Sequence, residues 1–247
     1  MTQKILIDCK EDEKYVWKGK GDFHCKDGFI LEKDILEGKN PLKTSKGREF
    51  LVYSSQHYDK VLGLKRGPQI IIAKDLGYIC SRSGLTRDSY VLEAGGGSGG
   101  ATLFFSKLVK EVTTYEIRKE HCEIIEKNLK PFEITNNILV NKDLAEDIET
   151  LEQDKFDLLL LDMPEPVKVL EKNLNCLKNG AFIFCYIPSV TQIQTITNYS
   201  EANPFKLYVD EITEVGLRHW KVTGQIARPE HRKINDHTAF LVILRKL

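Results

Sequence analysis

Apolar and polar positions alternate with two different rhythms along this 247-residue chain. Up to about residue 60 the apolar runs are short and broken by turn residues. Phe23-His24-Cys25-Lys26 and Phe29-Ile30-Leu31-Glu32 flank Asp27-Gly28, and both turn residues tolerate positive φ, so the pattern predicts a β-hairpin. A second pair of runs brackets Lys46-Gly47 and continues into Arg48-Glu49-Phe50-Leu51-Val52-Tyr53. Residues 1–65 are therefore expected to form a small β domain, closed as a barrel. Residues 76–83 have helical spacing. From Tyr90 onward the pattern predicts strands at 90–94, 112–116, 138–140, 157–162 and 181–187, with helices at about 101–110, 118–130, 166–178 and 190–202. The run Phe156-Asp157-Leu158-Leu159-Leu160-Leu161 is almost continuously apolar, as a strand covered on both faces requires. Two β stretches, 205–215 and 237–244, close the chain with no crossover helix between them, so they are expected to pair antiparallel. Residues 66–247 thus read as a doubly wound, Rossmann-like α/β domain.

The junction between the first of these strands and its helix carries Gly95-Gly96-Gly97-Ser98-Gly99-Gly100. A backbone this poor in Cβ atoms can pass very close to a bound molecule. The next strand ends in Glu116, at a βαβ spacing that suits an acid holding the two hydroxyls of a ribose. An adenosine-containing cofactor is implied. Formally the loop also fits the dinucleotide fingerprint, which leaves an NAD-binding oxidoreductase as an alternative. Three features favour S-adenosylmethionine. Glu93 precedes the glycines, where a carboxylate can orient the loop or meet the cationic methionine end. Asp162 ends the fourth strand before Met163-Pro164-Glu165-Pro166, at the crevice where such sheets bind ligands. The antiparallel pair of closing strands is foreign to a dinucleotide domain. A plainer role for Asp162 is to cap the following helix.

Composition narrows the classes without choosing among them. No apolar stretch approaches the length of about 20 residues that spans a bilayer, and the start of the chain turns polar at once, so a cytoplasmic protein is expected. Six scattered cysteines, without a Cys-x-x-Cys, argue against a zinc site or a disulfide scaffold. No metal is expected. With 36 basic and 36 acidic residues the net charge is zero, so nucleic acid would have to be met by local patches. Candidates are Lys43, Lys46 and Arg48, then Lys60, Lys65 and Arg66, and finally Arg228, Arg232 and Lys233.

Residues from about 40 to 247 resemble the tRNA (adenine-N1)-methyltransferase family. The resemblance rests on Thr44-Ser45-Lys46-Gly47-Arg48-Glu49-Phe50-Leu51, Lys65-Arg66-Gly67-Pro68-Gln69, Lys74-Asp75 and Val91-Leu92-Glu93-Ala94-Gly95. Tyr115-Glu116-x-Arg118, the Asp162 turn, Tyr186-x-Pro188 with Thr191-Gln192, and His237-Thr238-Ala239-Phe240 follow in the same order. Ala73 departs from a proline common before Lys-Asp, and Gly96 from a Thr or Val. The resemblance implies a class I S-adenosylmethionine-dependent methyltransferase domain behind a small N-terminal barrel, a homotetramer, and methylation of N1 of an adenine in the tRNA T-loop. Asp162 is then the candidate to accept from the adenine N6–H, and Tyr186 to stack on or position that base. For the cofactor the candidates are Gln69, Glu93, Gly95, Gly97, Ser98, Gly99, Gly100, Ala101, Glu116, His121, Asp143, Leu144 and Asp162. A methyltransferase acting on a small molecule or protein, and a non-catalytic tRNA-binding subunit, remain as alternatives.

Overall fold

Turn glycines and short apolar runs organise the first part of the chain. The computed structural model describes residues 3–11, 13–65, 67–147, 151–230 and 237–247, and the chain divides into two compact units, Met1–Lys65 and Arg66–Leu247. Arg66, Arg232 and Lys233 of the basic clusters lie outside the described residues.

The first unit contains β1 (Lys4–Asp8), β2 (Lys14–Trp17), β3 (Phe23–Cys25), β4 (Gly28–Ile30), α1 (Glu32–Glu37), β5 (Leu42–Lys43), β6 (Glu49–Ser54) and α2 (His57–Leu62). The predicted hairpin is β3–β4, with Gly28 at φ 104° opposite Cys25. Leu6, Trp17, Ile30, Ile35, Phe50 and Val52 form a core of their own. The strand pairing does not show the expected barrel closed. The main sheet is open, in the order β2-β1-β6-β5, and β3–β4 pairs separately. β5 is only two residues long, and just beyond it Ser45 N–H donates to the Phe29 carbonyl at 2.9 Å, joining the hairpin to that edge; α1 and α2 are helices that the strand pattern does not indicate. Arg48 is not available as a surface cation: its Nε and Nη2 clamp the buried Asp8 carboxylate at 2.9 and 2.7 Å.

The second unit is built on α3 (Ala73–Ser83), β7 (Tyr90–Ala94), α4 (Gly100–Ser106), β8 (Glu111–Tyr115), α5 (Lys119–Leu129), β9 (Asn137–Val140), β10 (Phe156–Leu161), α6 (Pro166–Asn173), β11 (Leu177–Ile187), α7 (Val190–Ala202), β12 (Leu207–Thr213), β13 (Trp220–Thr223), β14 (Ile226–Pro229) and β15 (Phe240–Lys246). Its seven-stranded sheet runs β12-β15-β11-β10-β7-β8-β9. The strands from β11 to β9 are parallel, and β15 is antiparallel to both β11 and β12. Strand parity sorts the core. Leu159, Leu161, Ile183, Cys185, Val242 and Leu244 face one layer, and Leu158, Leu160, Phe182, Phe184, Leu241 and Ile243 the other. The helix expected to 178 stops at Asn173, because Leu177 already pairs with Phe156 and a bulge follows before Leu158. The β13–β14 hairpin turns on Gly224 at φ 58°. Its Trp220, Val222 and Ile226 are exposed, so it lacks the half-buried alternation that announces a strand.

Strand order reverses at β7. Its crossover through α4 leads to β8 on one side, whereas β10 lies on the other. Ala94 and Leu161 are register partners at the carboxyl ends of β7 and β10, so the glycine loop and Asp162 leave the sheet side by side. Open α/β sheets bind ligands at such a reversal.

Candidate active site

Hydrogen bonds from the next strand set the glycine loop. Gly95 and Gly96 N–H groups both donate to the Tyr115 carbonyl, at 3.0 and 3.2 Å. Gly97 N–H donates to Glu116 Oε2 at 2.8 Å. Gly95 has φ 91°, and a Cβ there would overlap the Asp162 carbonyl oxygen. A Cβ at Gly96 would come within 2.6 Å of Thr114 Cγ2 and 2.8 Å of Ile125 Cδ1. A side chain at Gly96 would therefore have to displace neighbours that already fill the space. The Ser98 hydroxyl, almost fully buried, donates to the Pro68 carbonyl at 2.8 Å and accepts from Gly67 N–H at 3.0 Å. It ties the segment carrying Gln69 to the loop.

These elements surround a cavity of about 510 Å³, a size that suits a nucleoside-bearing ligand. Of the residues expected at the cofactor, Gln69, Glu93, Gly95, Gly97, Ser98, Gly100, Ala101, Glu116, His121, Asp143, Leu144 and Asp162 line it. Gly99 does not; it stands behind the loop as the left-handed cap of α4, against Ile125. Glu116 is buried, and its Oε1 accepts from Arg118 N–H at 2.9 Å while His121 Nδ1 lies 3.6 Å from Oε2. Asp143 begins a short 3₁₀ turn, accepting from Ala145 N–H at 2.9 Å.

Asp162 does not cap a helix. The cap position of α6 belongs to Glu165, and Asp162 instead donates its own N–H to the Ala94 carbonyl at 2.9 Å. Among the described residues nothing donates to its carboxylate. Burial, reinforced by Glu116, pushes that group up to about 7. Tyr186 does not line the cavity; its hydroxyl donates to Asp75 Oδ2 at 3.1 Å.

Glu93 occupies the cavity floor, fully enclosed. Its Oε2 accepts from the hydroxyls of Thr102 at 2.6 Å and Thr114 at 2.9 Å, so it braces loop, helix and strand together. Neither threonine was among the expected residues. Parity placed Thr114 on the Glu116 face of its strand, but the register that sets it beside Glu93 is a tertiary fact. Lys142, Arg118, Met163 and Pro164, also unexpected, line the cavity as well. Burial pushes Glu93 up to about 7, against the two hydroxyls that pull it down. The folded site therefore binds protons on Glu93 and Asp162 that the unfolded chain releases near pH 4. Their contribution to stability is complete below that range and is lost as pH rises through 7. Glu93→Gln should flatten the fall in denaturant stability between pH 5 and 8; a wild-type slope in the variant would contradict the assignment.

A glycine cradle together with four acids, Glu93, Glu116, Asp143 and Asp162, fits a ligand that joins an adenosine to a cationic amino-acid end. Fold and site together define a Rossmann-like, S-adenosylmethionine-dependent methyltransferase. The crystal structure of the tRNA (m1A58) methyltransferase TrmI from Aquifex aeolicus matches with a TM-score of 0.87 at 28% identity, covering 99% of this chain and 96% of that one. A SAM-dependent O-methyltransferase from Thermotoga maritima has the same fold, with a TM-score of 0.87 at 23% identity over 100% and 93% of the two chains. In sequence the chain is 35% identical over 234 residues to the tRNA (adenine(58)-N(1))-methyltransferase TrmI of Thermus thermophilus, covering 93% of this chain and 90% of the relative. It is 28% identical over 270 residues to the tRNA (adenine(57)-N(1)/adenine(58)-N(1))-methyltransferase TrmI of Methanocaldococcus jannaschii, covering 98% and 94%. The tRNA methyltransferase complex GCD14 subunit family matches residues 60–242, and the chain belongs to that family. The NAD-dependent alternative is set aside.

Proposed function

We propose that this chain transfers the methyl group of S-adenosylmethionine to N1 of the adenine at position 58 of the tRNA T-loop, the position named for its Thermus and Aquifex relatives. One observation carries the reading: a carboxylate to which none of the described residues donates, Asp162, beside a glycine loop in a cavity of nucleoside size. When bound, the cofactor supplies an electrophilic methyl on a positively charged sulfur. Glu116 would meet its ribose hydroxyls, Asp143 and Leu144 its adenine, and the glycine loop its carboxylate, with Gln69 closing over it.

Adenine N1 carries an in-plane lone pair, so no strong base is needed to create the nucleophile. The site has to align N1 and stabilise the charge that develops. N1-methyladenine is a cation, with its charge shared between N1 and the exocyclic N6. A carboxylate that accepts from N6–H becomes a better partner as that charge grows, and Asp162 is placed to act so. A cation arriving in the cavity favours its ionised form over the protonated form that burial promotes. The T-loop adenine has to leave its stack to reach this carboxylate.

The proposal includes tRNA contacts from the first unit, with Lys43 and Lys46, and from exposed Arg228 of β14. It also includes a homotetramer in the cytoplasm; the apolar surface of β13–β14 supports subunit contact. Labelled methyl from S-adenosylmethionine should enter a tRNA transcript, and a transcript with guanine at position 58 should lose most of that incorporation; equal labelling of both would overturn the choice of base. Glu116→Ala should weaken cofactor binding about tenfold by calorimetry. Unchanged affinity would confine Glu116 to bracing Gly97.

A further inference from the structure

Two motifs carried by the resemblance, Lys74-Asp75 and Thr238, have no part in the chemistry above, yet the fold brings them together. Asp75 is fully buried in the first turn of α3. Lys74 Nζ, its side chain 3% exposed, donates to Asp75 Oδ1 and to Thr238 Oγ1, each at 2.7 Å. The Thr238 hydroxyl donates in turn to Asp75 Oδ2 at 2.8 Å, and the same oxygen accepts the Tyr186 hydroxyl at 3.1 Å. Side chains from α3, from the end of β11 and from the approach to β15 thus share one buried ion pair. The network is complete: among the described residues, the buried side-chain polar atoms without a partner are Gln3 Oε1 and Asn173 Oδ1.

Stability is a poor account of this arrangement, because apolar residues of similar volume stabilise a core as well as a buried ion pair does. A satisfied buried network does fix the geometry of its members, and the member that strand register sets level with Asp162 is Tyr186, just outside the cavity lining. Leu161 of β10 and Cys185 of β11 are register partners. The residues that follow them, Asp162 just past the end of β10 and Tyr186 still within β11, therefore stand at the same level on neighbouring strands. Burial drives the Tyr186 hydroxyl well above its ordinary range, so it stands as a protonated donor to Asp75.

We propose that Asp75, clamped by Lys74 and Thr238, is a positioning residue of the methyl-transfer site: by holding the Tyr186 hydroxyl it fixes that ring beside the strand end carrying Asp162, where the ring orients the target base. This rests on the reading of Asp162 as the partner of that base. Asp75 touches neither cofactor nor substrate; it acts through Tyr186.

A mutant cycle on the full chain with tRNA transcript separates this role from a structural one. Tyr186→Phe and Thr238→Val should each lower kcat about tenfold, because misplaced reacting groups cost rate steeply. Affinity for S-adenosylmethionine by calorimetry should stay near wild type in both, with Tm lowered only by the few degrees that one lost buried hydroxyl costs. The double variant should be no slower than the slower single one, since both remove the same support, and Thr238→Ser, which keeps the hydroxyl, should recover wild-type kcat. Asp75→Asn should match or exceed the loss in Thr238→Val; if it does not fold, the Thr238–Tyr186 cycle decides. A Thr238→Val variant with wild-type kcat would overturn the proposal, as would losses that multiply in the double variant. A wild-type chain that binds S-adenosylmethionine but methylates no tRNA would remove the functional reading and this proposal with it.

Discussion

Replacing Asp162 by alanine is expected to lower turnover on tRNA about a thousandfold, the scale on which a preorganised charge-stabilising group acts. The fold and most of the tRNA affinity should survive. Asp162 holds its place through its backbone, with its N–H on the Ala94 carbonyl, so removing the carboxylate leaves the strand end where it was. Asp162→Asn sharpens the test. An amide keeps the shape and one acceptor but not the charge, and the charge is what a growing cation on N6 responds to. If charge stabilisation is the role, Asn should recover little of the lost rate. Near-wild-type turnover in either variant, measured by labelled-methyl incorporation under saturating cofactor, would take Asp162 out of the mechanism.

The second large effect should come from Gly95→Ala. Two penalties coincide there: a positive φ of 91° and a Cβ that overlaps the Asp162 carbonyl oxygen. Backbone strain and overpacking each cost on the order of 1–3 kcal/mol, and neither can be relieved without moving the loop or the Asp162 turn. Both outcomes damage the same cavity. Denaturant unfolding should show a loss of about 3 kcal/mol or more, and calorimetry a loss of most cofactor affinity. A Gly95→Ala chain as stable as wild type, with cofactor binding intact, would show that the loop can separate from Asp162 at little cost.

Local signals made much of this architecture legible. The glycine run between an apolar strand and a helix marked the cofactor loop, and Glu116 followed at βαβ spacing. Asp162 stood out because it ends the most continuously apolar strand, and Asp-Gly marked the first hairpin. Signals failed where position depends on register or on partners distant in sequence. Thr102 and Thr114 converge on Glu93 only once β7 and β8 are paired. Tyr186 read as a candidate to position the base, but the pattern gave no sign that its hydroxyl is engaged by Asp75, a residue from another element far back in the chain. The barrel was inferred from a run of short strands. Whether such a run closes depends on register and tilt between strands, which a run of short strands does not carry. Arg48 counted as a surface cation until Asp8 was found to hold it.

The most direct test of the central claim is nucleoside mapping after reaction. Purified full-length chain is incubated with unmodified tRNA transcript and S-adenosylmethionine, and the product is digested and sequenced by mass spectrometry. The account predicts N1-methyladenosine in the T-loop at position 58, absent with Asp162→Ala; the same spectra show whether position 57 is also modified, as in the Methanocaldococcus relative's name. A methyl placed on another atom or another base, or none on tRNA from a chain that binds the cofactor, would contradict it.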